Sequence, residues 1–443
     1  MNTIDPSVVR AVFTLADPAL VPVLVQRLGL ELAPALRRMA TVPTALAAAI
    51  PASGNLPLIA AYEEGERSGT RDKRPRPTAA PALPLPAFAG PVAPTLPDRA
   101  GAEDPVRRAA RGDLTAAEVD ALLDLDDPHV DARLFAGSLL PDTERARLLA
   151  GVRRDGTRGP VPGPLVDLLW DTESSRCAGW LTAGMTSGDP EVARVVVNRL
   201  PLRTEAGRLR VVVGVWTRHG SAEVRRLLTE AQFPADTRER IEDALRRPDG
   251  SAVLGARLAA EEDPEHVVAF LRDGNDREQR ERVDAVLADG GAIPWAELLR
   301  SHRVAALPDR LHIRLAEAPD CPYDLLVALL AQGLPSYGRE ERVWLHEALV
   351  HGRLSGADLM RYARPAPAVL SILAGTDDRT SPEWWASGAP RAEAGALVDE
   401  FLGTDADAWI VALRLFPDFT GTIVELLTTA RAVVADRLGS AGE

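Results

Sequence analysis

A helix-start signal recurs at intervals of roughly thirty residues through most of this chain. In its strictest form the signal is an aspartate followed by a proline, as at Asp127-Pro128, Asp189-Pro190 and Asp263-Pro264. Aspartate accepts a hydrogen bond from a free amide of the first helical turn, and proline has no amide that would stay unpaired there. Looser versions of the signal occur at Pro164, Ser221-Ala222, Pro294, Pro322, Ser355-Gly356 and Ser381-Pro382. One helical unit per interval is typical of a solenoid of stacked repeats.

Short apolar runs with helical spacing follow most of these signals. Val195 and Val196 lie three and four positions after Val192, so all three are predicted to lie on one face of a helix. Thr115 and Glu118 have the spacing of a capping box, which also marks the start of a helix.

Strand signals are scarce in comparison. Val211-Val212-Val213 is the one β-branched triplet flanked by bulky residues, and this segment fits a buried helix as well as a strand. We therefore predict an all-α fold, an irregular right-handed α-solenoid of short helical repeats with a small N-terminal helical module.

Composition predicts three segments along the chain. Residues 1–63 indicate a module of three or four short helices, and residues 104–443 indicate a solenoid of degenerate repeats of about thirty residues. Between them, residues 64–103 form a linker with eight prolines between Pro75 and Pro97. Proline fixes its backbone angle and lacks a donor, so we expect an extended spacer. Two PxxP spacings leave a docking motif for a proline-binding module as the alternative.

Length and composition narrow the class of protein. A chain of 443 residues exceeds the usual size of one compact core, so it contains several domains or a repeat array. Its 46% apolar and 26% charged residues are ordinary for a folded protein. The net charge of −13 argues against a general nucleic-acid binder.

The sequence lacks the residues that several classes of enzyme chemistry and metal binding require. Lys73 is the only lysine and follows no glycine-rich loop, which argues against Schiff-base and P-loop chemistry. Cys177 and Cys321 lie far apart and predict neither a disulfide framework nor a zinc ribbon. His346 and His351 are five positions apart, whereas a helical metal site needs four. We expect no metal, no cofactor and no catalytic motif.

The chain is expected in the cytoplasm and away from membranes. Its first ten residues have no charged start followed by an apolar core, so no signal peptide is expected. No apolar run reaches the roughly 18 residues that a membrane-spanning helix needs.

Three phrases resemble known repeat families. Residues 290–299 (GGAIPWAELL) and 315–326 (LAEAPDCPYDLL) look like leucine-rich repeat variant units, which pair a short helix, a proline-bearing turn and a second helix. The phrase Asp189–Arg194 looks like the turn and second helix of a HEAT-type repeat. The resemblance implies a protein that binds other macromolecules along a groove.

One window of the sequence is strongly basic. Eight arginines face only two glutamates, Glu205 and Glu223, between residues 194 and 226. Guanidinium groups suit carboxylate or phosphate partners. We predict that six of these arginines bind a partner, with a solvated arginine-rich face as the alternative: Arg194, Arg199, Arg203, Arg208, Arg210 and Arg218. The other two are Arg225 and Arg226.

A second candidate contact is aromatic. Trp384 and Trp385 follow a helix-start signal, and Tyr362 lies one repeat earlier. Neighbouring helix positions point about 100° apart, so both tryptophans cannot easily face the core. Exposed tryptophan is enriched at binding hot spots, although packing between repeats is the alternative.

These features predict a non-catalytic scaffold or adaptor that binds another protein along the solenoid surface. A HEAT-like protein that binds nucleic acid, or acts as a DNA glycosylase through the Arg194 to Arg226 stretch, is the alternative. An enzyme whose site is assembled from scattered repeat residues stays open. A pocket that holds a carboxylate and a histidine within hydrogen-bond reach would favour it.

Overall fold

The computed structural model describes residues 4, 6–39, 41–67, 104–334, 343–373 and 389–440. Within them the regular structure is helical, apart from one isolated β-bridge between Val152 and Arg158. The predicted all-α fold is confirmed, and Val211-Val212-Val213 lies in a helix. The chain forms two compact units, one from Met1–Gly90 with Leu298–Glu443 and one from Pro91–Glu297.

The Pro91–Glu297 unit is a succession of short helices. They are α6 (Pro105–Ala109), α7 (Ala116–Leu123), α8 (Pro128–Ala136), α9 (Asp142–Leu149), α10 (Gly163–Asp171), α11 (Ser174–Gly184), α12 (Pro190–Arg199), α13 (Glu205–His219), α14 (Ser221–Glu230), α15 (Ala235–Leu245), α16 (Gly250–Glu261), α17 (Pro264–Arg272) and α18 (Asp276–Ala288). Helix α19 (Trp295–Val304) crosses the point where the unit ends.

Helices two apart in sequence pack on one another in this unit. Helix α8 packs on α6 and on α10, α10 packs on α12, and α12 packs on α14. Helix α9 packs on α11 in the same way. Their apolar sides form one continuous core from Ala109 to Leu254, so each helix is buried by the helices before and after it.

The helix-start signals match this alternation. Eight of the nine predicted starts fall within one residue of an observed helix start, at α8, α10, α12, α14, α17, α19, α21 and α23. The signal therefore marks every second helix. The marked series shifts by one helix between α14 and α17, because α15 and α16 both lie in the longest interval. The ninth signal, Ser381-Pro382, lies outside the described residues.

Side-chain caps explain why the strict signals work. The Asp127, Asp189 and Asp263 carboxylates each accept hydrogen bonds from two amides of the following first turn, at 2.8–3.2 Å. Thr115 and Glu118 form the predicted capping box. These contacts satisfy amides that a helix start leaves without a partner.

The other unit combines the first and last helices of the chain. Its N-terminal helices are α1 (Pro6–Leu15), α2 (Val21–Leu28), α3 (Ala33–Arg38), α4 (Thr44–Ala52) and α5 (Leu56–Arg67), with a 3₁₀ turn at Gly29–Leu32. Its later helices are α20 (Asp309–Glu317), α21 (Tyr323–Gln332), α22 (Val343–Val350), α23 (Gly356–Tyr362), α24 (Ala366–Leu373), α25 (Ala389–Leu402), α26 (Ala406–Leu415) and α27 (Ile423–Ser440), with a 3₁₀ turn at Phe416–Asp418.

Helices from the two ends of the sequence pack together in this unit. Helix α1 contacts α24, α25 and α26, and α2 contacts α26. Ion pairs join Arg27 to Asp407 and Glu31 to Arg414, the second at 2.7 Å. The predicted division at residues 63 and 104 stays a prediction, and α1–α5 lie in the unit that also contains the C-terminal helices.

Asp17-Pro18 has the same form as the strict signal and so predicts a helix start, and this prediction is wrong. Helix α2 begins at Val21 and has Pro22 in its first turn. The Asp17 carboxylate instead accepts a hydrogen bond from the Ala19 amide in the preceding turn, at 2.8 Å. The proline-rich stretch from 68 to 103 lies outside the described residues. Among the helices that are described, none is both long and apolar enough to cross a membrane.

Candidate binding pocket

Two of the six predicted arginines hold loops of the protein. The Arg218 guanidinium donates to the carbonyls of Ser187 and Ala150, the latter at 3.0 Å. The Arg199 guanidinium donates to the carbonyl of Thr172. Both guanidiniums therefore satisfy backbone acceptors between helices inside the unit.

Arg194 belongs to an ion-pair network on α12 and α14. It pairs with Glu191 and, at 3.1 Å, with Glu230, and its guanidinium lies 6.0 Å from the centre of the Trp170 ring. Arg226 pairs with the same two glutamates at 2.9 and 3.1 Å. The positive charge of this part of the basic window is thus locally balanced.

Arg208 makes its contacts in the turn before α13 and with the first residue of that helix. Its guanidinium donates to the carbonyls of Leu202 and Arg203, at 3.1 and 3.2 Å, and lies 3.6 Å from Glu205. The side chain fixes the turn between α12 and α13.

A buried carboxylate anchors the start of α13. Asp289, which is 2% exposed, accepts hydrogen bonds from the amides of Arg203 and Thr204, at 2.9 and 2.6 Å, and from the Thr204 hydroxyl at 2.6 Å. The same hydroxyl accepts from the Gly207 amide at 3.0 Å. The positive end of the helix therefore already faces a carboxylate from the end of α18.

Arg210 links three helix ends. It donates to the Glu262 carboxylate at 2.7 and 3.0 Å, and also to the carbonyl of Asp289. Its side chain is 13% exposed. Because α13, the end of α16 and the end of α18 meet at this residue, Arg210 forms a rigid wall rather than a free cation.

A cavity of about 480 Å³ lies against this wall. Its apolar lining comes mainly from Val267 and Phe270 on α17 and Val286 on α18. The Arg282 guanidinium packs over Phe270 at 4.9 Å and fixes the orientation of that ring. Such a mixture of apolar lining and a few placed polar groups is typical of a ligand pocket. We call it the Arg203 pocket.

Arg203 differs from the other five predicted arginines. Its side chain is exposed and lines the pocket, and it makes no hydrogen bond or ion pair within the described part of the chain. The glutamates that line the pocket are paired, since Glu205 contacts Arg240 at 2.6 Å and Glu262 contacts Arg210. A ligand would therefore meet one available guanidinium beside an apolar surface.

The pocket also holds a carboxylate and a histidine in contact. The His266 Nε2 lies 3.3 Å from Glu261, whose other oxygen pairs with Arg257 at 2.5 Å. A carboxylate can orient an imidazole for proton transfer in this way. The Thr204 hydroxyl, which also lines the pocket, is occupied by Asp289 and the Gly207 amide, so it is not placed as a nucleophile.

The remaining predicted residues lie elsewhere. Trp384 and Trp385 are outside the described residues, and Tyr362 is 37% exposed at the end of α23. Cys321 is buried, and burial raises the pKa of its thiol to about 12. In the described ranges, no group of three or more histidine, cysteine or acidic side chains could hold a metal ion.

Sequence reasoning missed the residues that complete the pocket. Phe270 belongs to an ordinary apolar run, and Glu261 and His266 flank a helix-start signal, where caps and charges are expected anyway. Asp289 is separated from the α13 start by more than eighty residues, and no local pattern connects the two.

Comparison of the chain with protein-family models, with curated proteins and with solved structures found no match in any of the three. Function therefore has to be inferred from the geometry of the chain itself.

Proposed function

We propose that this protein is a non-catalytic scaffold of the cytoplasm that binds a partner protein through the Arg203 pocket. The helix-pair pattern supports a right-handed α-solenoid similar to HEAT-type or leucine-rich repeat variant proteins. Proteins of that kind usually bind macromolecules on surfaces that the repeats present side by side.

The observation that carries the proposal is the contrast between Arg203 and its neighbours. Five of the six predicted arginines are engaged inside the unit, whereas the Arg203 guanidinium lies beside Val267 and Phe270 with no partner among the described residues. A guanidinium next to an apolar surface fits a peptide segment that has one carboxylate and one apolar side chain. Of the six arginines predicted to bind a partner, we therefore retain Arg203 as the contact residue.

The test is affinity capture with matched variants. We expect the wild-type protein to retain a partner from a lysate of its own cells, and Arg203→Glu and Phe270→Ala each to reduce the yield of that partner about tenfold, the loss of one good contact. Arg225→Glu is the control, because Arg225 is exposed on α14 and makes only two contacts of 3.4 Å. Equal capture by all four proteins would refute the pocket as the site.

Reversing the charge of Arg208 or Arg210 by substitution with glutamate is a poor test of binding. Both guanidiniums hold backbone carbonyls around α13, so their replacement by glutamate would disturb the start of that helix. Arg203→Glu avoids this problem, since the structural contact of Arg203 with Asp289 is made by its backbone amide.

A gel shift separates this proposal from the nucleic-acid alternative. A protein that contacts several phosphates loses affinity steeply as salt rises. We expect no retarded band with duplex or single-stranded DNA at low salt, because Glu191, Glu223 and Glu230 balance the arginines on α12 and α14. A salt-sensitive band would favour the alternative.

The contact between Glu261 and His266 favours a second candidate function, general-base hydrolysis in the same pocket. It ranks second because the His266 side chain is 52% exposed, so bulk water surrounds the imidazole and does not leave it in an enclosed site. A panel of chromogenic acyl esters tests it. Turnover that His266→Ala abolishes, with the fold intact by circular dichroism, would establish an enzyme.

A further inference from the structure

We infer that a second groove in the Pro91–Glu297 unit, formed around Trp180 and Arg133, binds an acidic peptide segment that also carries an apolar or aromatic side chain. The groove has a volume of about 490 Å³ and lies between the ends of α6 and α8 and the side of α11. It shares no lining residue with the Arg203 pocket. We call it the Trp180 groove.

The aromatic wall of the groove is fixed in place. The Trp180 ring meets Phe135 edge to face, with the centroids 5.2 Å apart and the planes at 71°. The Arg145 guanidinium lies 6.0 Å from the centroid of the Trp180 ring. Arg145 is itself held by the carbonyl of Gly137, at 2.5 Å, and by Asp142 at 2.9 Å. A ligand therefore meets a ring that is already oriented, which lowers the entropic cost of binding.

Apolar surface continues beside the ring. Leu114 and Leu134 are buried beneath the groove, while Leu139 lies at its rim and is 40% exposed. Exposed leucine next to a fixed tryptophan is the composition of a contact that an apolar side chain would cover.

The charge that lines the groove has one sign. Its charged lining residues are Arg111, Arg133 and Arg145, and no carboxylate of the described residues lines it. Arg111 pairs with the exposed Asp113 at 2.9 Å. Arg133 is exposed, and its guanidinium has no hydrogen bond or ion pair among the residues that the structure describes. A carboxylate on the ligand would complete this set.

The indole N–H of Trp180 is a further donor. This N–H makes no hydrogen bond to any described residue. Its nitrogen atom is not fully buried, so water or a ligand can reach it. A peptide carbonyl or carboxylate that accepts from this N–H while its neighbour contacts Arg133 would use both donors together.

The apolar wall favours a peptide over a nucleic acid. A phosphate backbone needs a row of free cations, whereas Arg133 is the one lining arginine without a carboxylate or carbonyl partner in the described chain. The net charge of −13 also repels a polyanion at a distance, but it acts little on a short peptide with one or two acids.

The test is selection of random displayed dodecapeptides on the full-length wild-type protein, with a counter-selection on the Arg133→Glu, Leu139→Glu double variant. Both side chains are exposed, so the double variant should keep its fold, which circular dichroism checks. We expect the enriched peptides to combine aspartate or glutamate with phenylalanine, leucine or tryptophan. Enrichment of peptides without acids, or no enrichment specific to wild type, would overturn the inference.

A synthetic copy of the best peptide then gives the affinity by fluorescence anisotropy. We expect Arg133→Gln to weaken binding about tenfold, and replacement of the acids of the peptide by their amides to have the same effect. Arg203→Glu should leave the affinity unchanged, so failure here and failure of the Arg203 pocket are distinguishable. Unchanged binding to Arg133→Gln, or displacement of the peptide by a short single-stranded DNA, would contradict the assignment.

Discussion

One buried carboxyl group lacks a hydrogen-bond partner for one of its oxygens. Asp131 on α8 is 5% exposed, and its Oδ1 accepts no hydrogen bond from the residues that the structure describes. Burial raises the pKa of this carboxyl to about 6; the positive charge of Arg147 opposes the rise, and the negative charges of Asp126 and Asp127 add to it. Folding therefore favours the protonated form of this group.

The sign of the effect on stability follows from the two pKa values. A carboxyl with a pKa of about 6 in the folded state and 3.8 in the unfolded state contributes most favourably below pH 3.8. That contribution is lost as pH rises to 6, at a cost of about 2 to 3 kcal/mol at neutral pH.

Asp131→Asn is accordingly expected to stabilise the Pro91–Glu297 unit by about 2 kcal/mol at pH 7.5 and by much less at pH 4. Amide hydrogen exchange of peptides from α7 to α9 measures this change. Asp167→Asn, which removes an exposed carboxyl from α10, is the control and should change exchange little. Equal stabilisation at both pH values would contradict the account.

The hydrogen-bond partners of individual arginines could not be predicted from the sequence. Arg203 and Arg218 look alike in the basic window, yet the Arg218 guanidinium is bound to two carbonyls and the Arg203 guanidinium has no partner in the described ranges. The carbonyl that binds one of Arg218's nitrogens lies on Ala150, 68 positions earlier, and no local pattern connects two residues at that separation.

Helix starts are the element-scale feature that could be predicted well. A cap involves residues within three positions of each other. The caps at Asp127, Asp189 and Asp263 can therefore be recognised from the neighbouring sequence alone. The starts of α15 and α16 are missing from the predicted series. Helix α15 follows Pro234 and α16 follows Asp249, and neither residue makes a side-chain cap among the described residues. The lack of a cap does not by itself hide a start, since α10 and α14 also begin without one and carry the looser signal.

Glycine at position 207 is required by the way α13 begins. A Cβ at this position would lie 2.7 Å from the Asp289 Oδ2, which is closer than such atoms approach. Gly207→Ala should therefore destabilise the unit by about 1 to 3 kcal/mol, although alanine favours helices.

Gly255→Ala provides a matched comparison in denaturant unfolding. Gly255 also lies inside a helix, but a Cβ there meets nothing within 4 Å. We expect this substitution to stabilise by about 0.5 to 1 kcal/mol, because alanine loses less backbone freedom on folding. If Gly207→Ala stabilises the unit as Gly255→Ala does, the close approach of the Asp289 carboxylate to Gly207 is refuted.

Each of the two units contains a buried titratable group, and acid is expected to change the stability of the two units in opposite directions. His312 on α20 is 1% exposed and packs against Trp344, with the ring centroids 5.3 Å apart. Burial lowers the pKa of this imidazole to about 3, and the charge of His302 adds to the effect. Its contribution to stability is present above pH 6.5 and is lost as pH falls towards 3.

A change from pH 7.5 to pH 5 should therefore act differently on the two units. Protection of α20 and α22 from hydrogen exchange is expected to fall about thirtyfold, while protection of α8 rises about tenfold, after correction for the intrinsic rates. In His312→Leu the fall should be largely absent, whereas the exposed control His351→Leu should retain it. Parallel changes in both units would exclude this account.

The packing of α1 and α2 on α24–α26 was beyond sequence analysis. Among the described helices, shape and crossing angle decide which apolar faces meet. The helix-start signal marks local helix boundaries and carries no information about which helices from opposite ends of the sequence pack together.

That packing has a consequence for the order in which a ribosome makes the protein. Helices α1 to α5 leave the exit tunnel before α24–α26, on which α1 and α2 pack and which are translated about three hundred residues later. At roughly 5 to 20 residues per second this gap lasts some tens of seconds. The Pro91–Glu297 unit is contiguous and finishes meanwhile, so a nascent chain arrested near residue 330 should expose α1 and α2 to protease while α8 to α18 resist it.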